Sequence, residues 1–371
     1  FTTLHTTDAL RGSYGGGGVT SNFAAGDGAL FSNTTGNNNT ASGMSALYSN
    51  TTGSNHTASG VNALCSNTTG NYNTAHGAEV LRNNTTGNHN TADGAEALFS
   101  NTTGSNNTAS GMSALRSNTT GNWNTASGVE VLRSNTTGGN NTASGMSALY
   151  SNTTGNNNTA HGVEVLRVNT TGGNNTASGM SALFSNTTGN YNTASGMGAL
   201  YSNTTGNHNT ADGAEALFSN TTGSSNTAIG SQHTAAGVYA PAFNCTTENN
   251  RVSIAHTGVT NAYVQVAWTV VSDARDKTDF APVPHGLTFV TQLQPTAYRY
   301  KNDRADTSGH GPLKYGFKAQ DVLALEGDTP VIVDAENADK LRFNDQALLA
   351  VLVIAIKELD AKFESYKLAH P

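Results

Sequence analysis

The chain has 371 residues, a formal net charge of −7, only 12% charged residues and 41 glycines. This acidic balance carries no basic patch, so nucleic acid is excluded as a partner, and no run of ~18 apolar residues offers a membrane span. Low charge with modest hydrophobicity would suit disorder, but strict periodicity points to a solenoid instead.

Residues 1–32 read as an irregular lead-in, with Gly15 to Gly18 in a row and a degenerate coil at Ala24-Ala25-Gly26. The chain opens at Phe1 without methionine or signal pattern, so it is expected to be the C-terminal part of a longer protein. From residue 33 to 237 it repeats every 17 residues. The tetrad Asn-Thr-Thr-Gly recurs from Asn33 to Asn220, followed by Thr-Ala-x-Gly and then x-x-Ala/Val-Leu. Units this small bury no core alone and must stack. Identical residues one coil apart should form ladders of Asn and Thr, with Ala and Leu filling a narrow interior. The Asn-Thr-Ala run predicts a short strand. The i,i+3 pairs Glu79/Arg82, Glu130/Arg133 and Glu164/Arg167 favour a helical turn in the second half of the unit, with a second strand as the alternative.

These tandem units resemble trimeric autotransporter adhesin heads and phage tail-fibre repeats. The resemblance implies a parallel β-roll-like solenoid, without fixing its cross-section.

Residues 238–271 read as a connector, with the polar run Thr246-Thr-Glu-Asn-Asn250, followed by a buried strand from Ala262 to Val271. All eight lysines lie at or beyond Lys277, which marks residues 272–371 as a separate domain. There His285–Leu293 suits a short helix and Ala297–Lys301 a strand. Tyr315–Lys318 suits a second strand and Gln320–Leu325 a helix ended by Gly327. Pro330–Val333 and Lys340–Phe343 suit further short strands. Asn344 or Asp345 should cap the last helix. In it Leu349, Leu352, Ile356, Leu359, Phe363 and Tyr366 alternate 3-4 spacing, a coiled-coil seam compatible with three strands. The expected fold is thus a β-solenoid of strand plus short or helical turn, then a small α+β domain ending in a trimeric coiled-coil helix.

Val264-Gln-Val-Ala-Trp268, Ser272-Asp-Ala-Arg-Asp-Lys277, Pro295-Thr-Ala-Tyr298 and Tyr315-Gly-Phe-Lys-Ala-Gln320 resemble the C-terminal intramolecular chaperone of phage endosialidases and related tailspikes. The resemblance implies a module that trimerises the fibre and then cuts itself off between Val271 and Ser272, using a serine–lysine dyad. Ser272 would be the nucleophile and Lys277 the base, with Asp273 and Arg275 orienting the loop. A lysine that loses hydration on assembly becomes a usable base.

The expected protein is a homotrimeric virion fibre or tailspike, made in the host cytoplasm. It would attach to host surface glycan or outer-membrane protein and join other tail proteins through the missing N-terminal region. A glycan-degrading tailspike and a bacterial trimeric surface adhesin are the alternatives. For the first, the carboxylates available are Glu79, Asp93, Glu96, Glu130, Glu164, Asp212 and Glu215, but Asp93/Glu96 repeats as Asp212/Glu215, which suits coil variants better than an active site. The eleven histidines show no metal-ligand spacing, Cys65 and Cys245 no framework, and no cofactor is expected. Two variable slots remain. The one after the Leu, from Tyr48 and Arg82 to Phe218, suits interchain packing or sugar stacking, with packing favoured. The one before Asn-Thr-Ala, holding Tyr72, His89, Trp123, Tyr191 and His208, should be exposed and open to host contact.

Overall fold

A computed structural model describes residues 15–231, 245–254, 274–301, 307–328, 330–335 and 341–370. Its contacts divide the chain into two units, Phe1–Gly258 and Val259–Pro371, each described by itself.

The first unit is a β-solenoid with a 17-residue period. Each coil supplies one three-residue strand, starting with β1 (Phe23–Ala25) and β2 (Thr40–Ser42) and ending with β13 (Thr227–Ile229) and β14 (Val252–Ile254). Fourteen strands form one parallel sheet in sequence order. Like residues face each other across the coils, Thr40 opposite Thr57 and Ala41 opposite Ala58. The alternation of a strand buries only the central Ala. The Ala/Val-Leu pair of the second half is fully buried as well, so Ala41, Ala46 and Leu47 with their counterparts form one continuous core.

The second half of the coil is not a helical turn. Residues at the Ser45 and Leu47 positions hold φ near +55° throughout, whereas a helix needs consecutive right-handed residues. Overlapping turns result, with Ala46 N–H donating to Gly43 O and Tyr48 N–H to Ser45 O, both at 3.3 Å. The intervening amides leave the coil: Ser45 N–H reaches Asp27 O below (2.8 Å) and Leu47 N–H reaches Ala63 O above (3.0 Å). A turn closed between residues i and i+3 brings their side chains together as a helix does. The pairs Glu79–Arg82 (3.1 Å), Glu130–Arg133 and Glu164–Arg167 (both 3.5 Å) therefore form on a backbone that is not helical.

Two buried amide ladders run through the stack. In the first, each tetrad Asn from Asn50 to Asn220 donates through Nδ2 to Oδ1 of the Asn one coil before, at 2.7–2.9 Å. The same nitrogens also reach the Gly carbonyl three residues on, as in Asn50 to Gly53 (2.9 Å). These buried amides are structural and closed to modification. The second ladder uses the Asn before each Thr-Ala: Asn90 takes a backbone N–H with its carbonyl at Asn107 (3.0 Å) and donates to Gly104 O (2.9 Å).

His56 occupies one rung of that second ladder and reproduces the amide. Its Nδ1 accepts from Asn73 N–H (3.1 Å) and its Nε2–H donates to Gly70 O (2.7 Å). That pattern requires the neutral ring, and burial lowers its pKa to about 4. A folded value below the ordinary 6.5 means stability complete above pH 6.5 and lost as pH falls towards 4, on the order of 3 kcal/mol. His56→Asn should abolish that share of the acid sensitivity. Amide exchange around Thr57 and Asn73 at pH 7 and pH 4.5 checks it, and equal acid loss in both proteins contradicts the assignment.

The polar run 246–250, expected as connector, is a further coil. Thr221 N–H donates to Thr246 O (2.7 Å), Asn226 Nδ2 to Glu248 O (2.7 Å), and β13 pairs with β14. The bonded residues are 25 apart instead of 17, so 25 − 17 = 8 extra residues are inserted between two ordinary rungs. The expected strand Ala262–Val271 lies outside the described residues.

In the second unit α1 (Leu287–Val290) precedes an antiparallel pair, β15 (Thr296–Tyr300) and β16 (His310–Gly316). Then come α2 (Ala319–Glu326), the short antiparallel pair β17 (Val333–Asp334) and β18 (Arg342–Phe343), and α3 (Asp345–Ala369). Gly327, at φ 77°, ends α2 as the sequence predicts. Phe289, Leu293, Val322, Ile332, Val333, Leu348 and Val351 form the core.

Candidate functional site

The serine–lysine motif is described only in part. Ala274–Asp276 form a single 3-10 turn, closed by Lys277 N–H on Ala274 O (3.3 Å). Arg275 and Lys277 are exposed on this turn. Val271, Ser272 and Asp273 lie outside the described residues.

The best-built polar site of this unit is one that sequence reasoning missed. Glu326, buried at the end of α2, accepts three successive backbone N–H groups: Val331 (2.8 Å), Ile332 (2.6 Å) and Val333 (2.8 Å). The available signal was its position, because a carboxylate in the last turn of a helix opposes the helix dipole and needs another reason to be there. The bonds hold the 331–333 segment, whose Ile332 and Val333 are core residues. Glu326→Ala leaves three donors unpaired in a buried place, with an expected cost of about 3–5 kcal/mol. Amide exchange at Val331–Val333 should accelerate at least ~100-fold. Unchanged protection there would show that the carboxylate holds nothing.

Helix α3 is anchored at its start and bare beyond its middle. Asn344 is the cap, its Oδ1 accepting from Gln346 N–H (3.2 Å) and Ala347 N–H (3.3 Å), while its own N–H donates to Ile332 O (2.7 Å). Leu348, Val351 and Ala355 face the core of the unit. Of the expected seam, Leu352 is half-buried against this core, whereas Leu349, Ile356, Leu359, Phe363 and Tyr366 are exposed. Every residue from 356 to 370 is exposed.

On the solenoid the carboxylates weighed for catalysis are largely in ion pairs. Glu96 pairs with Arg116 of the next coil (2.8 Å), since its own coil carries Phe99 where others carry Arg. The Arg116 guanidinium holds the Glu96 carboxyl below the usual range. The slot after the Leu packs along its own chain. Arg116 lies over Phe99 (5.2 Å), Arg133 and Arg167 over Tyr150 (5.6 and 5.5 Å), and Phe184, Tyr201 and Phe218 stack at 5.0–5.1 Å.

The slot before Asn-Thr-Ala is exposed, as expected. Its backbone is left-handed in each coil from Asn38 to Asn250, which suits the Asn that usually fills it. Tyr72, His89, Trp123, Tyr191 and His208 hold the same φ, 56–60°, where a bulky side chain is uncommon. Tyr72 stacks on His89 and Tyr191 on His208, at 4.8 and 4.9 Å. Among the described residues no group of three acidic, histidine or cysteine side chains is placed to hold a metal, and no helix is long and apolar enough to cross a membrane.

The architecture is therefore that of a repetitive β-solenoid joined in sequence to a small α+β unit with a long, half-anchored C-terminal helix. The family described as chaperone of endosialidase matches residues 272–329, from the motif serine through α2. No curated protein and no solved structure matches the chain. The chain carries an endosialidase-type intramolecular chaperone domain after a β-solenoid body, a combination consistent with a phage tail fibre. Chaperone domains of this family autocleave and function in trimeric proteins.

Proposed function

We propose that this chain is a homotrimeric phage tail-fibre or tailspike segment that attaches to the host surface. Its residues 272–371 assemble the trimer and then cleave the chain between Val271 and Ser272. On this reading 33–237 is the shaft or head, and 238–271 leads into the cleavage site.

The observation that carries the proposal is the fusion of a long one-dimensional repeat to a chaperone-family segment. Such a repeat has identical rungs and could stack out of register, which gives a folding device a task. The exposed half of α3 supports the assembly role. Fourteen residues of helix, 356–369, are all exposed, held to the rest of the unit by the Leu287 N–H bond to the Glu358 carboxylate (2.7 Å), and present Ile356, Leu359, Phe363 and Tyr366 along one side. Host contact is assigned to the exposed aromatic slot at Tyr72, His89, Trp123, Tyr191 and His208. Flat rings on a polar Asn surface suit stacking against the apolar faces of sugars. A glycan-degrading enzyme is disfavoured, because the Glu carboxylates of Glu79, Glu96, Glu130 and Glu164 are engaged with arginines.

The mass of the purified chain tests the proposal. A stable product ending at Val271, with a released 272–371 fragment, is expected. A chain that stays full length under every folding condition removes the peptidase from the reading.

A further inference from the structure

The residue after the strand-end glycine has a pattern of its own. In eleven successive coils, from Met44 to Ala214, that position is Met, Val or Ala, and all five methionines of the protein, Met44, Met112, Met146, Met180 and Met197, stand there. The methionines and valines of this row are 39–54% exposed although they are among the larger apolar side chains of the coil. The row is bounded by Asp27 at one end and Ser231 at the other. An uninterrupted apolar strip of this length is on the order of several hundred Å², the size that marks an interaction surface on a soluble protein.

We propose that this stripe is the line along which copies of this chain pack through their solenoids. The inference rests on the homotrimer read above and names the face used. Three features select a second copy as the occupant. The apolar groups recur once per coil, so only a partner with the same rise can meet all of them, and the chain itself has that rise. Association of like with like ordinarily opposes like charges. Here four glutamates beside the stripe, Glu79, Glu96, Glu130 and Glu164, are already paired with arginines of their own chain. The competing face, the ring and guanidinium slot after the Leu, is occupied by its own stacking. Methionine and valine also suit a surface that must match copies of itself, the thioether filling irregular gaps between smaller side chains.

Because every methionine lies on the stripe, peroxide oxidation reads it directly. The full chain is treated under native conditions with N-acetylmethionine amide as internal reference, and each methionine is followed by peptide mass spectrometry. All five should oxidise at least about tenfold more slowly than the reference in a protein that sediments as an oligomer. A full chain carrying Met112→Lys, Met146→Lys and Met180→Lys should keep the amide protection of its coils, since these side chains are exposed within one chain. Its remaining Met44 and Met197 should oxidise about tenfold faster than in the wild type. An oligomer whose methionines react within about threefold of the reference overturns this inference and leaves the trimer intact. A monomeric wild type overturns both, and a lysine variant with unchanged protection of Met44 and Met197 overturns the stripe alone.

Discussion

Gly111→Ala is expected to split the solenoid, whereas Gly198→Ser leaves it whole, although both glycines have positive φ. Gly111 holds φ +125°, and a Cβ there would sit 2.3 Å from Gly128 O in the next coil. The backbone region is one that only glycine enters readily, and the clash is with backbone, which cannot swing away. The substitution must lengthen the approach between these two coils and weaken the bond that crosses them, Gly128 N–H to Ser110 O, at 2.7 Å. A cost above about 3 kcal/mol is expected, concentrated at one interface between neighbouring coils. At Gly198, with φ +64°, a Cβ would have its nearest neighbour, the Glu215 side chain, 3.4 Å away, and other coils carry Ser, Asn or Glu there at φ 55–62°. Its replacement should cost no more than about 1 kcal/mol. Amide exchange resolved by coil distinguishes the two: protection should fall around residues 108–131 in the first variant and nowhere in the second. Equal effects would mean that the approach of the glycine backbones does not set the stacking.

Most of the solenoid was legible because the sequence states each rule twelve times. A period of 17 with Asn, Thr, Ala and Leu at fixed places fixes both the register and the ladders, since a slip of one residue would put Thr where Ala41 must be buried. The turn half misled for a physical reason. Side-chain pairing at i,i+3 is shared by helical turns and by β-turns, so Glu79 and Arg82 are blind to the alternating left-handed residues between them. The last coil was hidden because only Thr246-Thr247 of the tetrad remains: Cys245 and Glu248 stand where its Asn and Gly are expected, Val252-Ser253 replaces Thr-Ala, and eight extra residues break the count. The surface stripe at Met44 and Met112 was passed over for the opposite reason, because Met, Val and Ala look like variation until their shared exposure is seen. In the second unit α2 and α3 lie where Gly327, Asn344 and the 3-4 spacing put them, but α1 is shorter than His285–Leu293, β16 starts at His310 ahead of the expected Tyr315, and β17 meets the expected Pro330–Val333 only at Val333. The grip of Glu326 on residues 331–333 is a contact between chain segments that no local pattern announces.

Substitution of either member of the proposed dyad should abolish release of the 272–371 fragment, for different reasons. In the proposed step the Ser272 hydroxyl attacks the Val271 carbonyl carbon while the Lys277 amine takes its proton. The Val271–Ser272 amide bond then breaks as its nitrogen regains a proton, leaving an ester on the serine oxygen, and water cleaves that ester to a Val271 carboxylate and a free serine. Ser272→Ala removes the nucleophile. Lys277→Ala leaves the hydroxyl protonated and weak. Lys277→Arg keeps the charge and most of the length but cannot give up its proton, so it too should stay uncut. Lys277 is exposed in the single chain, so the proposal requires association to strip its hydration before it can act as a base. Cleavage should accordingly lag behind trimer formation, and a chain lacking residues 356–370 should neither assemble nor cut. All three point variants should still assemble, because Lys277 is exposed and Ser272→Ala removes only a hydroxyl. Losses of at least ~1000-fold in cleavage rate are expected for the serine and for both lysine replacements. Intact mass and sedimentation of the four proteins decide the matter. Wild-type cutting by Lys277→Arg would remove the general base while sparing the nucleophile, and cutting by a monomeric truncated chain would break the link between assembly and chemistry.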